Sequence, residues 1–126
     1  MKSYTNLEQS KKLVKILPLE SADMYYPWYI EEDGDTIESG HRVSIPSVGN
    51  LTTHKVNKRI LPCWSLAALL DVLPNGINVI KDKSDTENEK YMCTVEGTND
   101  IITTFGNNPV DACVAMIEKL NELKML

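Results

Sequence analysis

The sequence lacks four short motifs that mark common classes of enzyme. Its 126 residues contain no GxSxG elbow, no Walker phosphate loop, no HExxH zinc motif and no glycine-rich dinucleotide fingerprint. Cysteine is also scarce, because Cys63, Cys93 and Cys113 stand 30 and 20 residues apart and no pair has the CxxC spacing of zinc or redox sites. Each lies in or beside an apolar run, where a free thiol behaves as a small hydrophobic side chain. These absences favour a non-catalytic protein without metal or cofactor.

Long hydrophobic segments are absent as well. The initial stretch MKSYTNLEQSKK is polar where a secretory signal peptide would need its apolar region. The longest apolar run, near Ser65–Leu73, is about half as long as a bilayer-spanning helix. We therefore expect a cytoplasmic protein with no membrane partner.

Negative charge is concentrated in one half of the chain. The net charge is −5; residues 1–62 hold eight basic and eight acidic side chains, whereas residues 63–126 hold five basic and ten acidic ones. An acidic surface repels phosphate backbones, so this pattern disfavours general binding of nucleic acid.

The composition is that of a folded protein. The apolar share is 42% and the charged share is 25%, close to the averages of globular proteins. A chain of this length matches a typical domain of about 100–150 residues. We predict a single domain over residues 1–126.

The N-terminal half predicts one helix and an aromatic strand. Thr5 and Glu8 have the spacing of a capping box, and an apolar stripe with helical period follows, so we predict a helix over residues 5–17 that Pro18 ends. Residues 24–30 are rich in aromatics and predict a strand, which Pro27 confines to a sheet edge or a bulge. Residues 32–35 predict a turn.

Residues 36–62 give weaker signals. Arg42–Ile45 and Leu51–Val56 fit two short strands, and they fit a long ordered loop equally well.

The C-terminal half predicts the order α-β-β-β-α. Ser65 can cap a helix that ends before Pro74, and Pro109 suits the first turn of a second helix. The three strands between the helices are Ile77–Lys81, Tyr91–Val95 and Ile101–Phe105. The fold class is therefore α+β, a small antiparallel sheet with helices packed on one face.

The two halves also show a weak internal similarity. The segments Leu13–Pro18 and Leu69–Pro74 align at an offset of 56 residues, and each precedes a predicted strand. Six similar positions fit either a pseudo-repeat or chance.

The aromatic strand is the strongest candidate for a functional surface. Alternation on a strand places Tyr25 and Tyr29 on one face and Tyr26 and Trp28 on the other. We interpret the second face as core. Tyrosines exposed on an edge strand are typical of protein interfaces, so Tyr25 and Tyr29, together with the adjacent Trp28, form the candidate interaction surface.

The basic side chains, Cys63 and the histidines can each be interpreted either as structural or as functional residues. His54, Lys55, Lys58 and Arg59 form a weak basic cluster, which fits either a phosphate contact or a solvated loop. Cys63 precedes a predicted helix, so it is either a nucleophile served by His41 or His54 or a small core side chain; we favour the core. The histidines and cysteines are too dispersed to predict zinc.

Residues 31–35 bear a faint similarity to a calcium-binding loop. The position that should carry a bidentate glutamate is Arg42, however, so a solvated hairpin turn explains the acidic residues better.

Four segments resemble a family of small bacterial proteins. They are Leu7–Lys12, Glu20–Tyr25, Pro62–Leu70 with Leu73-Pro74, and Asn108–Val114. The family occurs in gut anaerobes, is often encoded among prophage or other mobile genes, and has no assigned activity. The resemblance implies a short accessory protein of a mobile element and no catalytic residue. Residues 31–60 do not match the family pattern.

Two likenesses are of topology alone. Three strands followed by a helix are similar to HicB-type antitoxins, and α-β-β-β-α is similar to double-stranded-RNA-binding domains. The latter carry lysines at the start of the last helix, where this chain has Asn108, Pro109 and Asp111.

Three functions therefore remain. The first is a protein-interaction domain that acts through the aromatic strand or an exposed sheet edge. The second is a nucleic-acid-linked regulator of the antitoxin type, and the third is an enzyme that uses Cys63.

Overall fold

The computed structural model describes residues 2–26, 29–32, 35–38, 46–49, 60–82, 90–96 and 100–126, and only the backbone of residues 29–32, 35–38 and 82. The helices in these ranges are α1 (Leu7–Leu13), a 3-10 helix (Leu19–Ser21), α2 (Leu66–Val72) and α3 (Pro109–Glu122). The strands are β1 (Met24–Tyr26), β2 (Tyr29–Glu32), β3 (Asp35–Glu38), β4 (Ser47–Val48), β5 (Leu61–Cys63), β6 (Ile77–Asp82), β7 (Lys90–Glu96) and β8 (Ile101–Gly106). This mixture confirms the α+β class and the order α-β-β-β-α of the C-terminal half.

The C-terminal sheet has α3 on one face. β6, β7 and β8 pair antiparallel in chain order. Asn108 caps α3 by accepting a hydrogen bond from the Asp111 amide at 2.9 Å, and Pro109 occupies the first turn as predicted. α3 packs most closely on β8 and β7, and α2 packs against α3. Ser65 is the N-cap of α2, which confirms the predicted start of that helix.

The main hydrophobic core draws on both halves of the chain. Leu13 and Leu17 from the N-terminal half pack with Trp64, which lies just before α2, and with Leu69, which lies within α2. From the sheet and α3 the core receives Cys93, Val95, Val110, Ala112, Cys113, Val114, Met116, Ile117 and Leu120. Burial of these side chains is the main stabilising contribution in a protein of this size.

The N-termini of α1 and α3 meet at one carboxylate. Asp111 accepts hydrogen bonds from Lys2 and Gln9, both at 2.8 Å, and from the Asn108 side chain at 2.9 Å. Burial alone would raise the pKa of Asp111, but these donors and the Lys2 charge hold that pKa below its ordinary value. We call these four side chains the Asp111 clasp.

α1 begins one residue later than the capping box at Thr5 predicts. Asn6 is the N-cap: its side chain accepts from the Gln9 amide at 2.8 Å, and the Gln9 side chain accepts from the Asn6 amide at 3.1 Å. The regular helix ends at Leu13, and a hydrogen bond from the Leu17 amide to the Leu13 carbonyl closes the turns that follow. Two overlapping capping boxes fit this sequence, so the pattern alone could not choose between them.

The aromatic segment is two strands rather than one, and β1 is not at an edge. β1 pairs with β4 on one side and β5 on the other, so it is the central strand of its sheet. β2 pairs antiparallel with β3 in a separate two-stranded sheet, in which Glu32 is opposite Asp35. Residues 33 and 34 of the predicted turn lie outside the described residues. The prediction of an edge strand expected one side of this strand to have no hydrogen-bonding partner, but β4 and β5 pair with β1 on its two sides.

Part of the weak central stretch forms short strands. β3, β4 and β5 lie in or beside residues 36–62, whereas the predicted strands Arg42–Ile45 and Leu51–Val56 fall outside the described residues. The pseudo-repeat and the single domain stay predictions. Among the described helices, none combines the length and apolarity needed to cross a membrane.

Candidate interaction surface

The face of the β6–β7–β8 sheet that points away from α3 carries an apolar row. Side chains alternate across a strand, so the core positions Val79 and Cys93 leave Ile80 and Met92 on the opposite face. Ile80 pairs with Met92, and Met92 pairs with Phe105, so the three side chains line up across the strands. Ile80 is 51% exposed and Phe105 is 52% exposed, with Met92 half-buried between them. We call Ile80, Met92 and Phe105 the apolar row.

Polar side chains surround this row on the same face. Thr94 lies beside it and pairs with Asn78 and Thr103. Lys90 and Glu96 are exposed at the two ends of β7. An apolar centre with a polar rim is the usual anatomy of a protein interface.

β8 adds an uncharged edge to this surface. Its sequence is Ile-Ile-Thr-Thr-Phe-Gly, and its first residue, Ile101, is 67% exposed on the same face as Phe105. Within the described ranges β7 is the only strand that pairs with β8, so the other edge of β8 is not paired there. Long apolar edges without charge are templates for pairing with another strand, which most proteins avoid.

The tyrosines predicted as an interaction surface are divided among several elements. Tyr25 lies half-buried on β1 with its ring against Gly49, where an added Cβ would be 2.9 Å from Tyr25 Cε1. Tyr29 belongs to β2, in another sheet, and Trp28 lies outside the described residues. The structure therefore does not bring Tyr25 and Tyr29 onto one strand. The predicted alternation is confirmed at Tyr26, which is buried.

Tyr26 and Cys63 belong to a buried polar network centred on Thr5. Thr5 Oγ1 shares a hydrogen bond with Ser10 Oγ at 2.8 Å and accepts one from the Trp64 amide at 3.1 Å. The Thr5 carbonyl accepts from the Tyr26 hydroxyl at 2.6 Å and from Cys63 Sγ at 3.4 Å. Burial raises the pKa of the Tyr26 hydroxyl and the pKa of the Cys63 thiol. This network fixes the N-terminal segment to β5.

Cys63 is consequently a poor nucleophile in this fold. It is fully buried, and its raised pKa favours the thiol over the reactive thiolate. The proposed bases His41 and His54 lie outside the described residues, as do Lys55, Lys58 and Arg59 of the basic cluster. Within the described ranges no group of three or more His, Cys, Asp or Glu side chains could hold a metal ion.

A shallow cavity of about 510 Å³ lies between the 3-10 helix and α2. Glu20, Asp23 and Asp71 line it. Asp23 accepts hydrogen bonds from the Ser65 amide at 2.9 Å and from the Ser65 hydroxyl, so its carboxylate already serves to fix the start of α2. In the part of the chain that the structure describes, no buried side-chain nitrogen or oxygen lacks a hydrogen-bond partner, so the lining of this cavity offers no such group for chemistry.

All three thiols should be unreactive in the folded protein. Cys63, Cys93 and Cys113 are fully buried, so we expect a disulfide reagent at neutral pH to modify them only on the timescale of unfolding. The measurement is thiol release with time in buffer and in denaturant, where all three should react at once. Rapid modification of Cys63 in buffer would contradict this arrangement and would restore the enzyme hypothesis.

The apolar row and the β8 edge were not singled out by the sequence. Ile80, Met92 and Phe105 look like ordinary strand residues until the register aligns them. None of three comparisons, with protein-family models, with curated proteins and with solved structures, finds a match to this chain.

Proposed function

We propose that this chain is a non-catalytic interaction domain that binds a protein partner through the apolar row and Ile101. The observation that carries the proposal is the alignment of Ile80, Met92 and Phe105 on the sheet face opposite α3. The sequence also predicted a protein-interaction domain, but it assigned the binding surface to the aromatic segment. The surface proposed now is on the C-terminal sheet.

Burial of the apolar row would supply part of the free energy of binding. Complete burial of an isoleucine or phenylalanine side chain contributes about 1.5–3 kcal/mol, so each half-exposed side chain retains about 1 kcal/mol. Single exposed apolar side chains are common on proteins, whereas a row across three strands is contiguous. Lys90 and Glu96 at opposite ends of β7 can orient a partner along the strands.

The alternatives receive less support from the described residues. An enzyme based on Cys63 is opposed by the burial of that thiol. No described feature favours a nucleic-acid-linked regulator, because the basic cluster lies outside the described ranges. A role as accessory protein of a bacterial mobile element is part of the proposal and is supported only by the sequence resemblance.

Substitution of Phe105 and Ile80 by threonine should weaken partner binding while the fold is retained. Threonine favours strands, so the sheet should persist, but the apolar contact area is removed. We expect affinity for a partner captured from lysate of the source organism, and then purified, to fall at least about tenfold, equivalent to about 1.4 kcal/mol. Isothermal titration calorimetry of the purified pair measures this change.

Val14→Thr is the matched control, since Val14 is 40% exposed just after α1 and away from the sheet face. It should leave the affinity unchanged. A partner that binds wild type, the Ile80→Thr Phe105→Thr variant and the control equally would show that the apolar row is not the binding surface.

A further inference from the structure

β8 is complementary to itself when two copies run antiparallel. A two-fold axis through Thr103 pairs Ile101 of one copy with Phe105 of the other and repeats that pair symmetrically. Ile102 then faces Thr104, and Thr103 faces its own equivalent. Aromatic with β-branched and threonine with threonine are favourable cross-strand pairs.

No like charges meet in this register. β8 has no ionisable side chain, and Asp100 just before it would face Gly106 of the second copy. Ile101, Thr103 and Phe105 are all exposed on the sheet face opposite α3, so each is accessible before pairing. A one-residue shift would place Phe105 opposite Asp100 or opposite Ile102, whose side chain belongs to the other face of the sheet, so the pairing of exposed side chains is lost.

We propose that a second copy of this chain adds to the outer edge of β8, in antiparallel register about Thr103, to give a continuous six-stranded sheet. The inference goes beyond the proposed function, which concerns a different protein and the face of the sheet rather than its edge. The two are linked because the apolar row of one copy, ending at Phe105, continues into Ile101 of the second copy. Pairing thus gives the open face a longer apolar stripe than one copy has.

The association is expected to be reversible. Pairing along one short strand buries less surface than the roughly 800 Å² per partner of a standard stable interface. A monomer–dimer equilibrium that depends on concentration is therefore the expected state of the purified protein.

Opposite charges at Thr103 test this register. In Thr103→Lys or Thr103→Glu, identical charges face each other across the axis, so each variant alone should show a dimer dissociation constant at least about tenfold higher than wild type. An equimolar mixture of the two variants should restore the dimer, because lysine then faces glutamate. Sedimentation equilibrium measures all three samples, and circular dichroism checks that each variant is folded.

Disulfide trapping gives a second measurement that does not rely on charged variants. Thr103→Cys should form an intermolecular disulfide under mild oxidation, since directly opposed strand residues have Cα atoms about 4.5–5.5 Å apart. Asn78→Cys is the control: it is exposed on the same face of the far strand β6 and should not crosslink. The three native cysteines are buried and do not contribute.

The outcomes separate this inference from the proposed function. A strictly monomeric wild type, or a dimer that survives Thr103→Lys, or equal crosslinking of the two cysteine variants, would overturn the edge pairing. Because Phe105 also pairs across the proposed seam, Ile80→Thr alone, on the far strand β6, gives the calorimetric test of the partner-binding face that these results do not affect. Loss of the dimer in both charge variants with recovery in their mixture would establish the seam at β8.

Discussion

Gly106→Ala should destabilise the protein by about 3 kcal/mol, near the upper end of the usual cost of overpacking. An added Cβ at Gly106 would lie 2.4 Å from the Ala112 amide nitrogen and 2.7 Å from the Asp111 carbonyl carbon. Both atoms belong to the backbone of the first turn of α3, so no side-chain rotation can relieve the clash. The helix would have to move off the sheet against which it packs.

Equilibrium urea unfolding measures this loss, and Gly76→Ala is the matched control. Gly76 has a φ of 87° and open space where a Cβ would be, so alanine there meets only the backbone strain of a left-handed conformation. That strain costs about 1 kcal/mol. A Gly106→Ala variant no less stable than Gly76→Ala would show that α3 does not approach β8 as closely as described.

Thr5→Val should cost about 2–3 kcal/mol, although valine has nearly the same shape as threonine. The substitution removes the acceptor of the Trp64 amide and the hydrogen-bond partner of Ser10, and both groups are shielded from water. A buried donor without a partner loses its full desolvation energy, about 1–3 kcal/mol.

Thr104→Val is the control with the same chemical change. Thr104 Oγ1 donates to the Ala112 carbonyl at 2.9 Å in a half-buried position, so its loss leaves no amide unpaired. We expect a cost of about 0.5–1 kcal/mol there. Equal unfolding free energies for the two variants would mean that the Thr5 hydroxyl is not the centre of a buried network.

The C-terminal half could be predicted from sequence because several local signals agree there. Ser65 and Asn108 begin helices as caps, Pro109 occupies a first turn, and the strands are separated by clear turn residues. Each of these signals depends on residues that are close together in the sequence, so it can be recognised without knowledge of the tertiary structure. The predicted role of the cysteines as core side chains is consistent with their complete burial.

The N-terminal half was predicted less well because its structure depends on distant partners. β1 became a central strand through pairing with β4 and β5, which follow it by long stretches of chain. Thr5 matched a helix cap in sequence, but contacts with Cys63 and Trp64 make it a buried junction instead. Neither arrangement has a local signal.

The candidate surface could not be predicted for a related reason. β6, β7 and β8 are apolar on both faces in places, so alternation does not reveal which face stays open. The register of Ile80, Met92 and Phe105 and the position of α3 decide that, and both are tertiary facts. The clustered tyrosines gave a stronger signal in the sequence, yet the fold distributes Tyr25 and Tyr29 to separate sheets.

The Asp111 clasp has a consequence for the order in which the chain can assemble on the ribosome. Asp111 lies 109 positions after Lys2, so in a chain synthesised from its N-terminus Asp111 becomes available long after Lys2 has been made. Closing a contact over so long a loop is entropically costly until the intervening segments have compacted. The Thr5 contacts with Cys63 and Trp64 can hold α1 beside β5 before α3 exists, whereas the contacts of Lys2 and Gln9 with α3 form only after Asp111 has been made.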